Sequence, residues 1–157
     1  MINNQKDLYD FIDKIMKPNG FVKKKDTWYF HSDECITFLC IGKSPYGGYY
    51  GEVLGCFLKE IYIDKEAFPK YHKCNLKYGI AKIISNKDLI KKVFDLENNE
   101  FKVNEREVIL KELIENYALP FLKDISTKDC IKIALHKYRG LTTWMDAEMK
   151  KALSVED

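Results

Sequence analysis

Arginine is scarce in this chain, and its scarcity bears on the kinds of site that the chain can build. Lysine and arginine together number 26 of the 157 residues, yet only Arg106 and Arg139 are arginine. Sites that read phosphate or carboxylate groups favour arginine, because its planar fork donates paired hydrogen bonds. The composition therefore argues mildly against such a site. The many lysines, isoleucines and asparagines match the codons of an AT-rich genome, so they indicate the source of the protein more than its partners.

Long apolar runs are also missing. No stretch approaches the ~18 apolar residues of a membrane span, and the first ten residues, MINNQKDLYD, contain no apolar signal core. Hydrophobic residues make up 46% of the chain and charged residues 32%, which is ordinary for a globular domain and argues against disorder. We therefore expect a cytoplasmic protein that does not associate with a membrane.

The cysteines lack the pattern of a disulfide framework. Their count of five is odd and no C-x-x-C pair occurs, so we expect reduced thiols that pack as small apolar side chains. His72 and Cys74 would share a face of a strand, as a Cys–His nucleophile or half of a metal site requires. Because a zinc site needs about four ligands and only His31 and His136 remain among the histidines, we predict no metal and no cofactor. We expect an exposed His72 beside a buried Cys74.

The stretch from Cys35 to Leu58 has the strongest structural signal that is present. Residues 35–41 are apolar or β-branched in both alternate sets, without a charge. A strand that is apolar on both faces is covered on both sides, so this strand is predicted to lie at the centre of a sheet. Residues 49–58 are its predicted antiparallel partner, in which Gly51 and Gly55 fit only where a bulge or close packing needs the space.

The connection between these strands contains Gly42-Lys43-Ser44, which raises the question of a phosphate-binding loop. Such a loop needs a glycine five residues before the Gly-Lys pair and a helix after it. Position 37 is threonine, and Pro45 with a β-rich run follows in place of a helix. We therefore predict a structural turn, for which Pro45 and Gly47 are suited.

The remaining elements follow from hydrophobic periodicity and from capping residues. They are a helix over 4–17, strands over 27–31 and 74–80, and helices over 87–97, 104–119, 126–140 and 144–153. Asn104 and Glu107 predict a capping box for the helix over 104–119, and Val103 and Val108 predict a hydrophobic staple. Pro120 is expected to kink or end that helix.

Strands and helices are segregated along the chain, which predicts an α+β fold. We expect one domain over residues 1–157. An antiparallel sheet of about four strands follows an N-terminal helix and packs with several C-terminal helices. Residues 154–157 are expected to fray.

Several short motifs together resemble the bacterial domain-of-unknown-function family number 4304. The motifs are Lys17-Pro18-Asn19-Gly20-Phe21 with Lys23-Lys24, Thr27-Trp28-Tyr29, Lys43-Ser44 with Tyr46-Gly47 and Tyr49-Tyr50, Gly55 before Phe57, and Glu115-Asn116-Tyr117-Ala118-Leu119-Pro120-Phe121-Leu122. The resemblance runs from Leu8 to Ile125. Asn75 and Lys77 depart from it, because a more basic and aromatic strand is expected there. The resemblance implies no activity, and by analogy alone it suggests an immunity-like or accessory role.

The candidate site residues surround the central hairpin. They are Trp28, Tyr29, Lys43, Tyr46, Tyr50 and Glu52. Trp and Tyr favour binding hot spots, so the aromatic residues could form a partner-binding edge. The more common arrangement is that alternate aromatic rings enter the core while their hydroxyls reach water. Glu52 is an acid in an otherwise apolar strand, and its pKa would rise if it were buried.

These observations favour a non-enzymatic protein that binds another protein. The alternative is an enzyme or small-ligand binder that uses a pocket between sheet and helices, with Glu52, Tyr50 and Lys43 as polar groups. Nucleic-acid binding is the weakest alternative, because the net charge is only +2. The sequence contains no signal from which to predict an oligomeric state.

Overall fold

A computed structural model describes residues 1–156 and shows an α+β fold. The strands are β1 (Val22–Lys24), β2 (Thr27–His31), β3 (Cys35–Lys43), β4 (Tyr50–Leu58) and β5 (Leu76–Tyr78). The helices are α1 (Gln5–Met16), α2 (Ile80–Ile84), α3 (Lys87–Val93), α4 (Glu105–Leu113), α5 (Leu119–Asp124), α6 (Lys128–Lys137) and α7 (Ala147–Ala152). Short 3-10 turns are Lys17–Asn19, Tyr71–Lys73 and Leu141–Trp144, and a π-helical turn, Ile114–Ala118, joins α4 to α5.

The strands form one antiparallel sheet in the order β1-β2-β3-β4-β5, so each strand pairs with its neighbour in sequence. β3 and β4 pair along their whole length, which confirms the predicted central hairpin. The sheet has five strands rather than about four, because the short segment Val22–Lys24 pairs with β2. Two of its three residues are lysines, which are depleted in strands, and this explains why the sequence pattern does not reveal β1.

β3 is buried from Cys35 to Ile41, and different parts of the chain cover its two faces. Leu39 lies on one face of the sheet together with Trp28 of β2. The helices pack on this face and form the main core with it. Phe38 belongs to the opposite face, where the connection between β4 and β5 supplies Tyr62. The double-sided burial predicted for this strand is therefore present.

The connection between β4 and β5 covers the second face of the sheet. The Tyr29 hydroxyl donates a 2.7 Å hydrogen bond to the carbonyl oxygen of Pro69. His31 Nε2 lies 2.6 Å from the carbonyl oxygen of Ala67. The ring of Phe68 packs edge-on against Tyr29, with 5.3 Å between centroids. These contacts hold a segment without regular structure over the second face of the sheet.

Two helix starts differ in how they are capped. The Asn4 side chain accepts a 2.8 Å hydrogen bond from the Asp7 N–H, as its position before α1 predicts. The predicted capping box of α4 is wrong, because Asn104 adopts a left-handed conformation with φ of 65° and its side chain makes no cap bond. Glu107 instead accepts a hydrogen bond from the Ile2 N–H at 2.8 Å. The predicted hydrophobic staple is also absent, since Val103 and Val108 are both exposed.

The helix that contains Pro120 neither ends nor breaks there. The turn Ile114–Ala118 is π-helical, and the N–H of Leu119 donates to the Ile114 carbonyl, five residues back. Proline has no N–H to donate and its ring crowds the preceding turn of an α-helix. The wider π turn places one extra residue ahead of Pro120, so the chain continues into α5 in helical form.

Asn75 ties the end of the sheet to the last helix. Its side chain accepts a 2.8 Å hydrogen bond from the Leu58 N–H and donates one of 2.8 Å to Asp146. Asp146 in turn caps α7 by accepting from the Met149 N–H. The last helix therefore begins after Asp146 rather than after Thr143. Of the terminal residues expected to fray, Val155 donates its N–H to the Lys150 carbonyl, and Asp157 lies outside the described residues.

Gly55 and Gly51 provide a matched test of close packing on β4, because both lie on the same face of that strand. A Cβ on Gly55 would overlap the carbonyl oxygen of Leu76 and lie 2.8 Å from the Phe38 ring, whereas a Cβ on Gly51 meets nothing closer than 3.9 Å. We expect Gly55→Ala to lower the free energy of unfolding by about 1 to 3 kcal/mol. We expect Gly51→Ala to change it by less than about 0.5 kcal/mol in urea titrations. Equal effects of the two substitutions would contradict this packing.

Candidate functional site

The aromatic residues proposed for a binding edge lie inside the protein. Trp28 is fully buried, and its Nε1 donates a 2.9 Å hydrogen bond to the Asp13 carboxylate of α1. Tyr29 is buried on the opposite face, where its hydroxyl bonds to backbone rather than reaching water. Tyr50 is also buried. These three rings therefore belong to the core and do not form one exposed surface.

Tyr46 and Lys43 remain at the surface, at the end of the central hairpin. Tyr46 is 93% exposed, in the irregular connection between β3 and β4. Lys43 pairs with Tyr50 across the strands, and both line an open cleft of about 840 Å³ beside the N-terminus of α1. The Gly-Lys-Ser run leads into this connection and not into a helix, so it forms no phosphate-binding loop.

Glu52 has a structural task that the sequence does not show. Both of its carboxylate oxygens accept from the Ile80 N–H, at 3.1 and 3.0 Å, so it caps the start of α2. Gly79 allows this approach, because a Cβ there would lie 3.1 Å from the carboxylate. Burial raises the pKa of Glu52 to about 7, against the opposing effect of these backbone hydrogen bonds. Glu52 does not line the cleft that Lys43 and Tyr50 share.

The cysteines and histidines do not converge on a site. His72 is exposed in a 3-10 turn and Cys74 is partly buried after it, so the two do not share a strand. Burial raises the pKa of the Cys74 thiol to about 11, which disfavours the reactive thiolate. Within residues 1–156 no three His, Cys, Asp or Glu side chains are placed to hold a metal ion.

One of the two arginines is also part of the framework. Arg106 is buried, and its guanidinium donates to the carbonyl oxygens of Val93, Asp95 and Asn98 at 2.7, 2.9 and 2.8 Å. It thereby satisfies carbonyls at the end of α3 and in the connection that follows, and the Asp95 carbonyl also accepts from the Asn98 N–H. This arginine is not available to read a ligand.

A groove lies between the sheet and the helices. Its volume is about 510 Å³ and its lining is mainly apolar. We call it the sheet–helix groove, and its lining residues are Asn19, Phe21, Phe30, Thr37, Glu115, Leu119, Pro120, Leu122, Lys123 and Ser126. It lies toward the Cys35 end of β3, whereas the cleft of Lys43 lies at the other end.

Local chain geometry shapes both walls of the sheet–helix groove. On one wall, Gly20 adopts φ of +90° after the 3-10 turn, and a Cβ there would lie 3.0 Å from the Phe30 ring. Phe21 then packs against Phe30, with 5.4 Å between the ring centroids. On the other wall, the π-helical turn sets the direction from which Leu119 and Pro120 face the groove. π-helical turns inside helices are frequent at functional sites.

The sequence does not show this groove directly. The motifs around Phe21 and Leu119 are visible in the chain, yet they are almost a hundred residues apart, and their approach depends on how α1 and α5 pack on the sheet. A signal was nevertheless present, since both motifs contain a backbone feature, Gly20 in one and Pro120 in the other, that marks an unusual turn.

The raised pKa of Glu52 predicts a pH-dependent stability. An ordinary glutamate titrates near 4.5, whereas Glu52 in the fold titrates near 7, so the folded state binds more protons between these values. The free energy of unfolding therefore falls as pH rises from 4.5 to 7. Glu52→Gln keeps an acceptor for the Ile80 N–H and removes the charge. We expect this variant to exceed wild type in stability by about 1 to 3 kcal/mol at pH 8.

Urea titrations of both proteins between pH 4.5 and pH 8 measure this difference. The difference should shrink as the pH falls toward 4.5, where wild-type Glu52 is protonated in the fold. Glu52→Ala, which removes the acceptor as well, should be less stable than Glu52→Gln at every pH. A wild-type-to-Gln difference that is constant across the range would contradict a buried, protonating Glu52.

Comparison with known proteins places the chain in a family. The family model described as a domain of unknown function, DUF4304, matches residues 12–124, which run from within α1 to the end of α5. The match includes every residue of the sheet–helix groove except Ser126. No curated protein and no solved structure matches the chain. Among residues 1–156, no helix has the length and apolar character to cross a membrane. The chain therefore belongs to the family of the domain of unknown function DUF4304.

Proposed function

We propose that this protein is a non-enzymatic binding protein whose sheet–helix groove receives an apolar anchor from a partner polypeptide. The observation that carries the proposal is the groove itself, an open, mainly apolar depression of about 510 Å³ between the sheet and α5. Binding pockets for single ligands or anchor side chains commonly have about 300 to 1,000 Å³ and an apolar lining with a few polar groups.

The rim of the groove supports a polypeptide as the occupant. Glu115 and Lys123 lie on the rim, and within residues 1–156 neither forms an ion pair. The apolar floor of the groove suits an apolar side chain of a partner. Glu115 and Lys123 on the rim suit residues of opposite charge on either side of that side chain in the partner's sequence. A buried apolar anchor with a polar rim is the usual anatomy of a protein–protein contact.

The enzyme alternative has less support from the geometry. Its proposed polar groups do not converge, because Glu52 caps α2 while Lys43 and Tyr50 line a separate cleft. The setting that we propose follows the sequence: a bacterial cytoplasm, in which the protein acts as an immunity-like or accessory factor. Its partner is then another protein and not a membrane.

A peptide-selection experiment tests the groove. Peptides from a displayed random library are selected on wild type, and their affinities are measured for Leu119→Glu and for the control Ile133→Glu. Ile133 is an exposed apolar residue on α6, away from the groove, so it undergoes the same chemical change. We expect selected peptides to share an apolar anchor. Leu119→Glu should weaken their binding at least about tenfold, or about 1.4 kcal/mol, and Ile133→Glu should change it less than about twofold.

Near-ultraviolet circular dichroism checks that both variants keep the fold. If Leu119→Glu does not fold, Glu115→Lys on the rim replaces it, and the preferred charge beside the peptide anchor should then switch sign. The proposal is overturned if the peptides bind wild type and Leu119→Glu with equal affinity. It is also overturned if Ile133→Glu weakens binding as much as Leu119→Glu does.

A further inference from the structure

A second site lies on the other face of the sheet, where the connection between β4 and β5 meets the β1–β2 turn. It is a pocket of about 460 Å³. We call it the basic pocket. The exposed residues of its lining are Lys24, Lys25, Phe68, Lys70, Tyr71 and His72. It shares no residue with the sheet–helix groove.

The charge of the basic pocket is unbalanced. Lys24, Lys25 and Lys70 are exposed, and none of them forms an ion pair within residues 1–156. The only carboxylate of its lining is Asp26, which accepts a 2.9 Å hydrogen bond from the Thr27 hydroxyl. Three lysines around one concave surface attract an anion, such as a phosphate group.

The turn that presents these lysines contains an unfavourable conformation. Lys25 adopts φ of 57°, which is rare for residues other than glycine, asparagine and aspartate. Lys25-Asp26 is the two-residue hairpin loop between β1 and β2. The first residue of such a loop is normally glycine or asparagine. A lysine there keeps two consecutive ammonium groups, Lys24 and Lys25, at the mouth of the pocket.

Aromatic rings supply the other half of the site. Phe68 and Tyr71 are each 38% exposed, and the His72 ring stands edge-on to Tyr71 at 6.0 Å between centroids. Lys24 Nζ lies 4.8 Å from the centroid of the Phe68 ring, so a cation and a ring already share the pocket. Exposed rings beside lysines are the combination that holds a base by stacking and its phosphate by charge.

We infer that the basic pocket binds a nucleotide, with the base against the exposed rings and the phosphate among the three lysines. The nucleotide can be free or can be one unit of a single-stranded nucleic acid, since both present the same base and phosphate. The inference is independent of the proposed function, because the two sites lie on opposite faces of the sheet.

Calorimetric titration with adenosine monophosphate, with pyrophosphate and with a deoxythymidine strand of about ten nucleotides tests the inference. The test variant is Lys25→Glu with Lys70→Glu. The matched control is Lys132→Glu with Lys151→Glu, two exposed lysines on α6 and α7. We expect the test variant to bind the nucleotide probes at least about tenfold more weakly, and the control to stay within about twofold.

A third variant separates stacking from charge. Tyr71→Ala should weaken binding of the nucleotide probes at least about fivefold and leave pyrophosphate binding unchanged. Binding of the monophosphate in competition with the strand supports a free nucleotide as the ligand. Binding of the strand without binding of the monophosphate up to about 1 mM supports single-stranded nucleic acid. The inference is overturned if neither the monophosphate nor the strand binds, or if the two charge-reversal variants bind them with equal affinity. It is also overturned if pyrophosphate binds as tightly as the monophosphate and Tyr71→Ala has no effect.

Discussion

The fold depends on one constraint, which is that β3 is apolar on both of its faces and must be covered on both. Each large apolar side chain that is fully buried contributes about 1.5 to 3 kcal/mol, so neither face can be left in water. The helices cover the face that carries Leu39 and Trp28. The connection between β4 and β5 covers the face that carries Phe38 and Phe57. The two covers differ in kind: one is helical, and the other is an irregular segment held by tyrosine and histidine side chains.

The binding sites that we propose lie where these covers stop. The sheet–helix groove opens where α5 and the turn after α1 leave Phe30 partly uncovered. The basic pocket opens where the irregular segment ends against the β1–β2 turn. Between the two sites, Trp28 and Tyr29 are adjacent in β2 and each makes a hydrogen bond on its own side of the sheet. The two proposed sites therefore border opposite faces of the same sheet.

Sequence reasoning was most successful where the signal is local. The run of apolar and β-branched residues over 35–41 predicts the central strand, and Asn4 predicts the start of α1. It failed where long-range contacts decide the outcome. Glu107 accepts a hydrogen bond from the N-terminal segment instead of capping α4. The helix continues past Pro120 through a π-helical turn. Trp28 is buried, and its Nε1 donates a hydrogen bond to Asp13. The sheet–helix groove also depends on long-range contacts. Its walls come from opposite ends of the matched domain, and no local sequence pattern predicts that they lie close together.

Residue-resolved native-state hydrogen exchange tests most directly whether the irregular cover is part of the core. The Tyr62 N–H donates to the Leu58 carbonyl and the Cys74 N–H to the Tyr71 carbonyl, so both ends of the cover have amides to follow. If the cover is required to bury Phe38, these amides become exposed only together with those of β3, and their opening free energies converge on that of global unfolding as denaturant is added. Exchange of Tyr62 and Cys74 at nearly the rate of an unfolded peptide, while β3 remains protected, would contradict this account.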